Sequence, residues 1–210
     1  MNLTNVFRMY VHNKLKKLYS KQKCRQSNTH IDSKMNVHPN YFLNGYIPVP
    51  ADNSCFFNAI VQWWVIHKTG GNITLPLSTL EELSFYLRKK MVQAIKLYPN
   101  KILWSGESIQ TMIRKEEKIP LKQYCKRMEN RNEWAGPIEV EVTSLLLQVN
   151  IITYQLNPES KMLEAKMISK IPNATHTIYL LLNGWKQKKS SHYSLLIRKN
   201  RKIKRIPILK

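Results

Sequence analysis

Apolar residues recur at helical spacing along the first two thirds of the chain and at strand spacing along the last third. From Asn2 to Tyr19, the residues Leu3, Val6, Tyr10, Leu15 and Leu18 fall loosely on one side of a single helix, with Arg8, Lys14, Lys16 and Lys17 interspersed. Residues 20–38 are polar, without a period, and read as irregular. Tyr41 to Val49, with Gly45, Pro48 and Pro50 around it, reads as a short extended approach to the turn Asp52-Asn53-Ser54. Those three are helix-capping types, so a helix begins at about Cys55. Phe56, Ala59, Ile60, Trp63, Trp64 and Ile66 make it apolar nearly all round to about His67, as in a buried central helix. Lys68-Thr69-Gly70-Gly71 ends it.

Thr79 followed by Glu82 reads as a capping box before the stripe Leu80, Leu83, Leu87, Met91 and Ala94, which stops ahead of Pro99. A shorter helix is expected within 101–117 and another over Leu121 to Glu129. Asn132-Glu133-Trp134-Ala135-Gly136 is a loop. Pro137 suits a first helical turn, and Ile138, Val142, Leu145, Leu146 and Val149 mark the buried side of the helix it opens. Four strands follow, Ile151–Leu156, Lys161–Ile168, Thr177–Leu182 and Tyr193–Ile197. Their turns fall at Asn157-Pro158, Pro172-Asn173 and Asn183-Gly184. Helices first and a meandering sheet last predict an α+β domain.

The 210 residues, 43% of them apolar and 10% aromatic, suffice for one real core with extensions. The expected organisation is a basic N-terminal extension over 1–40, a folded domain over 41–198 and a basic tail over 199–210. No stretch approaches the ~18 uninterrupted apolar residues of a membrane span, and the N-terminus lacks the apolar core of a secretion signal. Cys24, Cys55 and Cys125 form no CxxC, and the six histidines form no HxxxH pair. That argues against structural zinc, leads us to expect neither metal nor cofactor, and favours a reducing, intracellular setting in cytoplasm or nucleus. The balance of 34 Lys+Arg against 13 Asp+Glu, net +21, points to nucleic acid, an anionic membrane or an acidic protein as partner. A lysine-rich, solubilising surface accounts for it equally well. The cationic run from Arg198 to Arg205 reads as a localisation signal or a phosphate-binding tail, and equally as a solvated, disordered end.

Cys55 is where chemistry enters. A lone cysteine before two phenylalanines is by default a small buried hydrophobe. At a helix start, however, its sulfur sits over unpaired N–H groups and the positive end of the dipole, which favour thiolate. The same groups can face the oxyanion formed when an acyl group is attacked. Such a nucleophile needs a histidine. His12, His30 and His38 fall in the extension, and His67 lies about three turns along the same helix. His176 and His192 remain, each opening an expected strand. His192, after the polar run Lys186 to Ser191 and before Tyr193, stands at the mouth of a core strand and is favoured.

Asp52-Asn53-Ser54-Cys55-Phe56-Phe57 resembles the cysteine loop of the OTU (ovarian tumour) family of cysteine proteases, usually Asp-Gly-x-Cys-aromatic. Trp134-Ala135-Gly136-Pro137-Ile138-Glu139, with the helix and the strand Asn150–Tyr154 after it, resembles the family's Trp-Gly-Gly-x-(Ile/Leu)-Glu block. His192-Tyr193 is similar to its closing His-Tyr element. The blocks come in the family's order over about 46–198. The resemblance implies a papain-like OTU fold, with helices packed on a small, mostly antiparallel sheet. It implies hydrolysis of isopeptide bonds to ubiquitin or a ubiquitin-like modifier. Cys55 would be the nucleophile, His192 the general base, and Asp52 the acidic residue that orders an oxyanion loop around Asn53, Ser54 and Cys55. Trp134 and Gly136 would belong to a loop near bound substrate.

The chain departs from the pattern at three places. Asn53 stands for a glycine, Ala135 for another, and Ser194 for the Asp or Asn that orients the imidazole. A serine hydroxyl can accept a hydrogen bond from the ring but brings no charge, which leaves Ser194, a water or Asp52 for that role. Two alternatives stand beside the deubiquitinase. One is a weak or inactive scaffold binding nucleic acid or anionic membrane through its basic ends. The other is a protease for a polyprotein.

Overall fold

The change of spacing near position 150 marks the boundary between two layers in the computed structural model. It describes residues 3–19, 43–69, 75–157, 159–160, 162–183 and 192–198. The order is α1 (Leu3–Tyr19), β1 (Leu43–Ile47), α2 (Cys55–Thr69), α3 (Leu77–Leu97), α4 (Ile109–Met112, running into a π-helical turn Ile113–Glu117), α5 (Leu121–Met128) and α6 (Pro137–Leu147). The strands β2 (Asn150–Leu156), β3 (Leu163–Ser169), β4 (Thr177–Asn183) and β5 (His192–Arg198) complete it. The fold is α+β, with the helices packed on a mostly antiparallel sheet.

The sheet order is β1-β5-β4-β2-β3. β2 and β3 form an antiparallel hairpin, but β4 then crosses back and pairs parallel to β2, so the sheet is no simple meander. β5 adds antiparallel to β4, and β1 to β5. Side chains alternate between faces along each strand. Leu180, Leu182, Tyr193 and Leu195 therefore enter the main core under the helices, while Tyr154, Leu163, Leu181 and Leu196 form a smaller cluster on the other face.

At the centre of the helical layer lies α2, whose residues from Cys55 to Val61 are all buried. The N-terminal helix is not a free basic arm. Phe7, Val11 and Leu15, each one turn from the next, form its buried side. The Phe7 ring meets Trp64 edge-on at 5.9 Å, and Tyr10 stacks on Tyr86 at 3.9 Å. This packing also undoes the expected capping box. α3 starts three residues earlier than that cap implies, at Leu77 behind Pro76, with no side-chain cap. Glu82 instead accepts hydrogen bonds from the Tyr10 hydroxyl (2.6 Å) and the Lys14 ammonium (2.9 Å). The tail 199–210, like Cys24, His30 and His38, lies outside the described residues. No helix among the described residues is long and apolar enough to cross a membrane.

Candidate active site

The turn before α2 is closed by its own first residue. The Asp52 carbonyl accepts the Cys55 N–H (3.1 Å), and its Oδ1 accepts the Ser54 N–H (2.9 Å) and the Asn58 amide (3.1 Å). A carboxylate is well suited to gather donors at a helix start. Since the Ser54 and Cys55 N–H groups are thereby engaged, the Asn53 N–H is left without a partner among the described residues. Asn53 as a residue is exposed.

Cys55 is 1% exposed, and its Sγ accepts the backbone N–H of Tyr193 at 3.4 Å. The bond seats the first residues of β5 on the start of α2, and His192 is the residue immediately before the one that makes it. His176 belongs elsewhere. Its ring lies 4.2 Å from His67, which stacks on Trp63. That cluster is near the far end of α2, roughly 18 Å along the helix from Cys55.

The helix start does not leave the thiol acidified. Burial pushes Cys55 above its ordinary value. The Tyr193 N–H pulls it down, the Asp52 carboxylate raises it, and the N–H groups at Phe56 and Cys55 lower it. Burial also lowers His192, with Asp52 opposing. At neutral pH the pair is thus a thiol and a neutral imidazole.

His192 Nδ1 is buried and without a hydrogen-bond partner among the described residues, so neither the Ser194 hydroxyl nor the Asn183 amide holds it here. Ser194 is buried two positions further along β5, on the same face. Directly across on β4 stands Asn183, the register partner of His192 and itself exposed. Directly opposed side chains share a face, about 5 Å apart at Cβ. In the sequence Asn183 reads only as part of a turn, because cross-strand register is not local.

Aromatic rings join the pieces. Trp134 stacks on Tyr193 (5.5 Å), Tyr193 meets Phe56 (5.3 Å), and Phe56 meets Phe57 (5.1 Å). The loop ahead of α6, the histidine strand and the cysteine helix thus share one ring ladder. Gly136 donates its N–H to Glu139 Oε2 (2.8 Å), and Tyr124 donates its hydroxyl to Glu139 Oε1. Burial raises Glu139 to about 7, against those two bonds. Ala135 is fully buried.

A second residue missed in the sequence is Arg88 on α3, at 0% exposed. Its Nη2 donates to the carbonyls of Glu133 (2.8 Å) and Asn53 (3.0 Å). Its guanidinium covers the Phe57 ring at 4.5 Å. The signal was a cation four residues after Ser84 and three before Met91, on the buried side of its helix. Among the described residues no group of three or more His, Cys, Asp or Glu could hold a metal ion.

A model of a family described as OTU-like cysteine protease matches residues 50–193. Among solved structures, the chain is similar to the OTU of Hazara virus, solved bound to ubiquitin. The identity is 17%, with 73% of this chain and 80% of that one covered and a TM-score of 0.50. It is similar also to the viral OTU domain protease of Taggert virus, at 17% identity, 75% and 81% coverage and a TM-score of 0.50. No curated protein sequence matches it. At these identities the structural likeness speaks for the fold alone.

Proposed function

This chain belongs to the OTU-like cysteine protease family, and on that premise we propose that it hydrolyses isopeptide bonds to ubiquitin or a ubiquitin-like modifier. Cys55 is the nucleophile and His192 the general base. The observation that carries the assignment is the Tyr193 N–H on the Cys55 sulfur, which puts the residue after His192 in direct contact with the thiol. The ubiquitin bound to the Hazara virus domain supports the substrate class.

In this reading His192 takes the thiol proton as the sulfur attacks the isopeptide carbonyl, because burial keeps the thiol protonated beforehand. The C–S bond forms and the carbonyl electrons move to oxygen, where the Asn53 N–H receives the developing charge. Collapse breaks the C–N bond, and His192 returns its proton to the departing lysine amine. A water, deprotonated by His192, then cleaves the thioester and releases a carboxylate and the free thiol. Asp52 braces the loop through Ser54 and Asn58, while Trp134 and Gly136 border the path of the substrate tail.

The test is turnover of a fluorogenic ubiquitin substrate and of ubiquitin chains by the parent, Cys55→Ala and His192→Ala. Loss of at least about a thousandfold is expected in both variants, as for removal of a nucleophile or its base elsewhere. A parent inert toward ubiquitin and ubiquitin-like substrates, or a Cys55→Ala variant that still turns over, refutes the assignment.

A further inference from the structure

A buried arginine ordinarily answers a carboxylate, yet among the described residues Arg88 has none within ion-pair reach. Its donors go to two stretches of chain, mostly to their backbone carbonyls. On one side they reach the Asn53 carbonyl (3.0 Å) and the Ser54 hydroxyl (3.5 Å). On the other they reach the carbonyls of Glu133 (2.8 Å), Arg131 (3.4 Å) and Met128 (3.5 Å). Ser54 Oγ adds a second tie, donating to the Arg131 carbonyl at 3.3 Å.

Peptide geometry gives this clasp a consequence. The Asn53 carbonyl and the Ser54 N–H belong to one planar trans unit and point in opposite directions. Arg88 holds the carbonyl end and the Asp52 carboxylate the N–H end, so that plane cannot rotate. The preceding unit is fixed through its Asp52 carbonyl on the Cys55 N–H, which turns the Asn53 N–H the other way. We propose that Arg88 is a positioning residue: it fixes the peptide unit that follows the Asn53 donor, and so braces that donor from its C-terminal side, and it locks the cysteine loop to the loop carrying Trp134. The inference rests on the reading of Cys55 as an acyl-transfer nucleophile. A guanidinium suits the task because its planar fork serves both loops at once while lying flat on Phe57, which a lysine's single ammonium cannot do. Burial lowers its pKa to about 10, so the cation persists at neutral pH.

The experiment compares the parent with Arg88→Lys and Arg88→Met. For Arg88→Lys with an intact melting transition, kcat on a fluorogenic ubiquitin substrate should fall about 10- to 100-fold, with KM within about threefold. Affinity for a ubiquitin C-terminal aldehyde, whose thiohemiacetal oxygen would lie at the Asn53 N–H, should fall about tenfold or more. Chloroacetamide makes a C–S bond, expels chloride and creates no oxyanion, so its rate with Cys55 should stay within about threefold. Arg88→Met should do no better than Arg88→Lys. An active parent with a folded Arg88→Lys of undiminished kcat, or equal losses toward aldehyde and chloroacetamide, overturns the positioning role. A parent without hydrolase activity instead defeats the functional reading, and the clasp is then judged by hydrogen exchange on the parent. That measurement also decides the matter if both variants unfold. The Ser54 and Cys55 amides should open together with those of residues 132–134. Independent opening of the two loops would overturn the proposal.

Discussion

Replacing Phe7 with alanine asks whether the N-terminal helix is part of the domain or an appendage. The ring is 0% exposed, edge-on to Trp64 of the cysteine helix and 6.3 Å from Tyr86 of α3. A phenylalanine truncated in such a setting costs about 3–5 kcal/mol, the transfer loss plus the cavity left behind. In a chain of this length each kcal/mol shifts the melting temperature by about 2–4 °C, so a fall of roughly 6–20 °C is expected. Lys16→Ala is the control, since that side chain is exposed on the same helix and should stay within about 0.5 kcal/mol. Thermal unfolding followed by near-UV circular dichroism, with urea titration for the free energy, gives both values. Because Trp64 lies on the helix that begins with Cys55, turnover of the still-folded variant should become heat-labile over the same interval. A Phe7→Ala protein that melts with the parent would refute the packing argument and return α1 to the status of a loose arm.

Three further outcomes follow from the site. His192 is held below its ordinary value, so the ring remains a neutral base as pH falls through 6.5. The acid limb of kcat/KM should therefore lie below pH 6.5, and a limb at pH 7 or above would contradict the burial argument. Glu139, raised to about 7 by burial, binds its proton in the folded state over a range where the unfolded chain, with its value near 4.3, has lost it. Its contribution to stability is thus present below about pH 4.3 and is lost as pH rises through about 7. Glu139→Gln does not titrate, so the parent's melting temperature relative to the variant should fall between pH 5 and pH 8, and a constant difference would count against it. Finally, if Asn183 supplies the acceptor that orients His192, Asn183→Ala should lower kcat about tenfold and Ser194→Ala less than about twofold. The reverse order would return the role to Ser194.

Much of the fold is legible because local spacing and local chemistry agree. The capping types before Cys55 do precede a helix, Pro137 does open α6, and four alternating runs do become strands. What escapes is set by distant partners. The Phe7–Val11–Leu15 stripe is diluted by lysines, and only the rings of Trp64 and Tyr86 reveal which side is buried. Thr79 and Glu82 have the spacing of a capping box, but Pro76 begins the helix early and Tyr10 and Lys14 claim the carboxylate. The parallel β2–β4 pair depends on a crossover that no alternation pattern records. At the candidate site, residue types pointed to Cys55 and favoured His192 over His176. They did not disclose how deeply the sulfur is buried, which reverses the expected direction of its acidity. Arg88 was overlooked because a cation on a helix reads as solvated, and only its carbonyl partners across two loops explain its burial.

The account turns on one sulfur reacting because of where the fold holds it. Treating the full chain with electrophilic probes built on ubiquitin and its relatives, then mapping the adduct by mass spectrometry, addresses that directly. A single adduct on Cys55 is expected, absent from His192→Ala, with Cys125 unmodified behind its burial. No adduct with any member of the panel, or modification at Cys125 or Cys24 in place of Cys55, would contradict it.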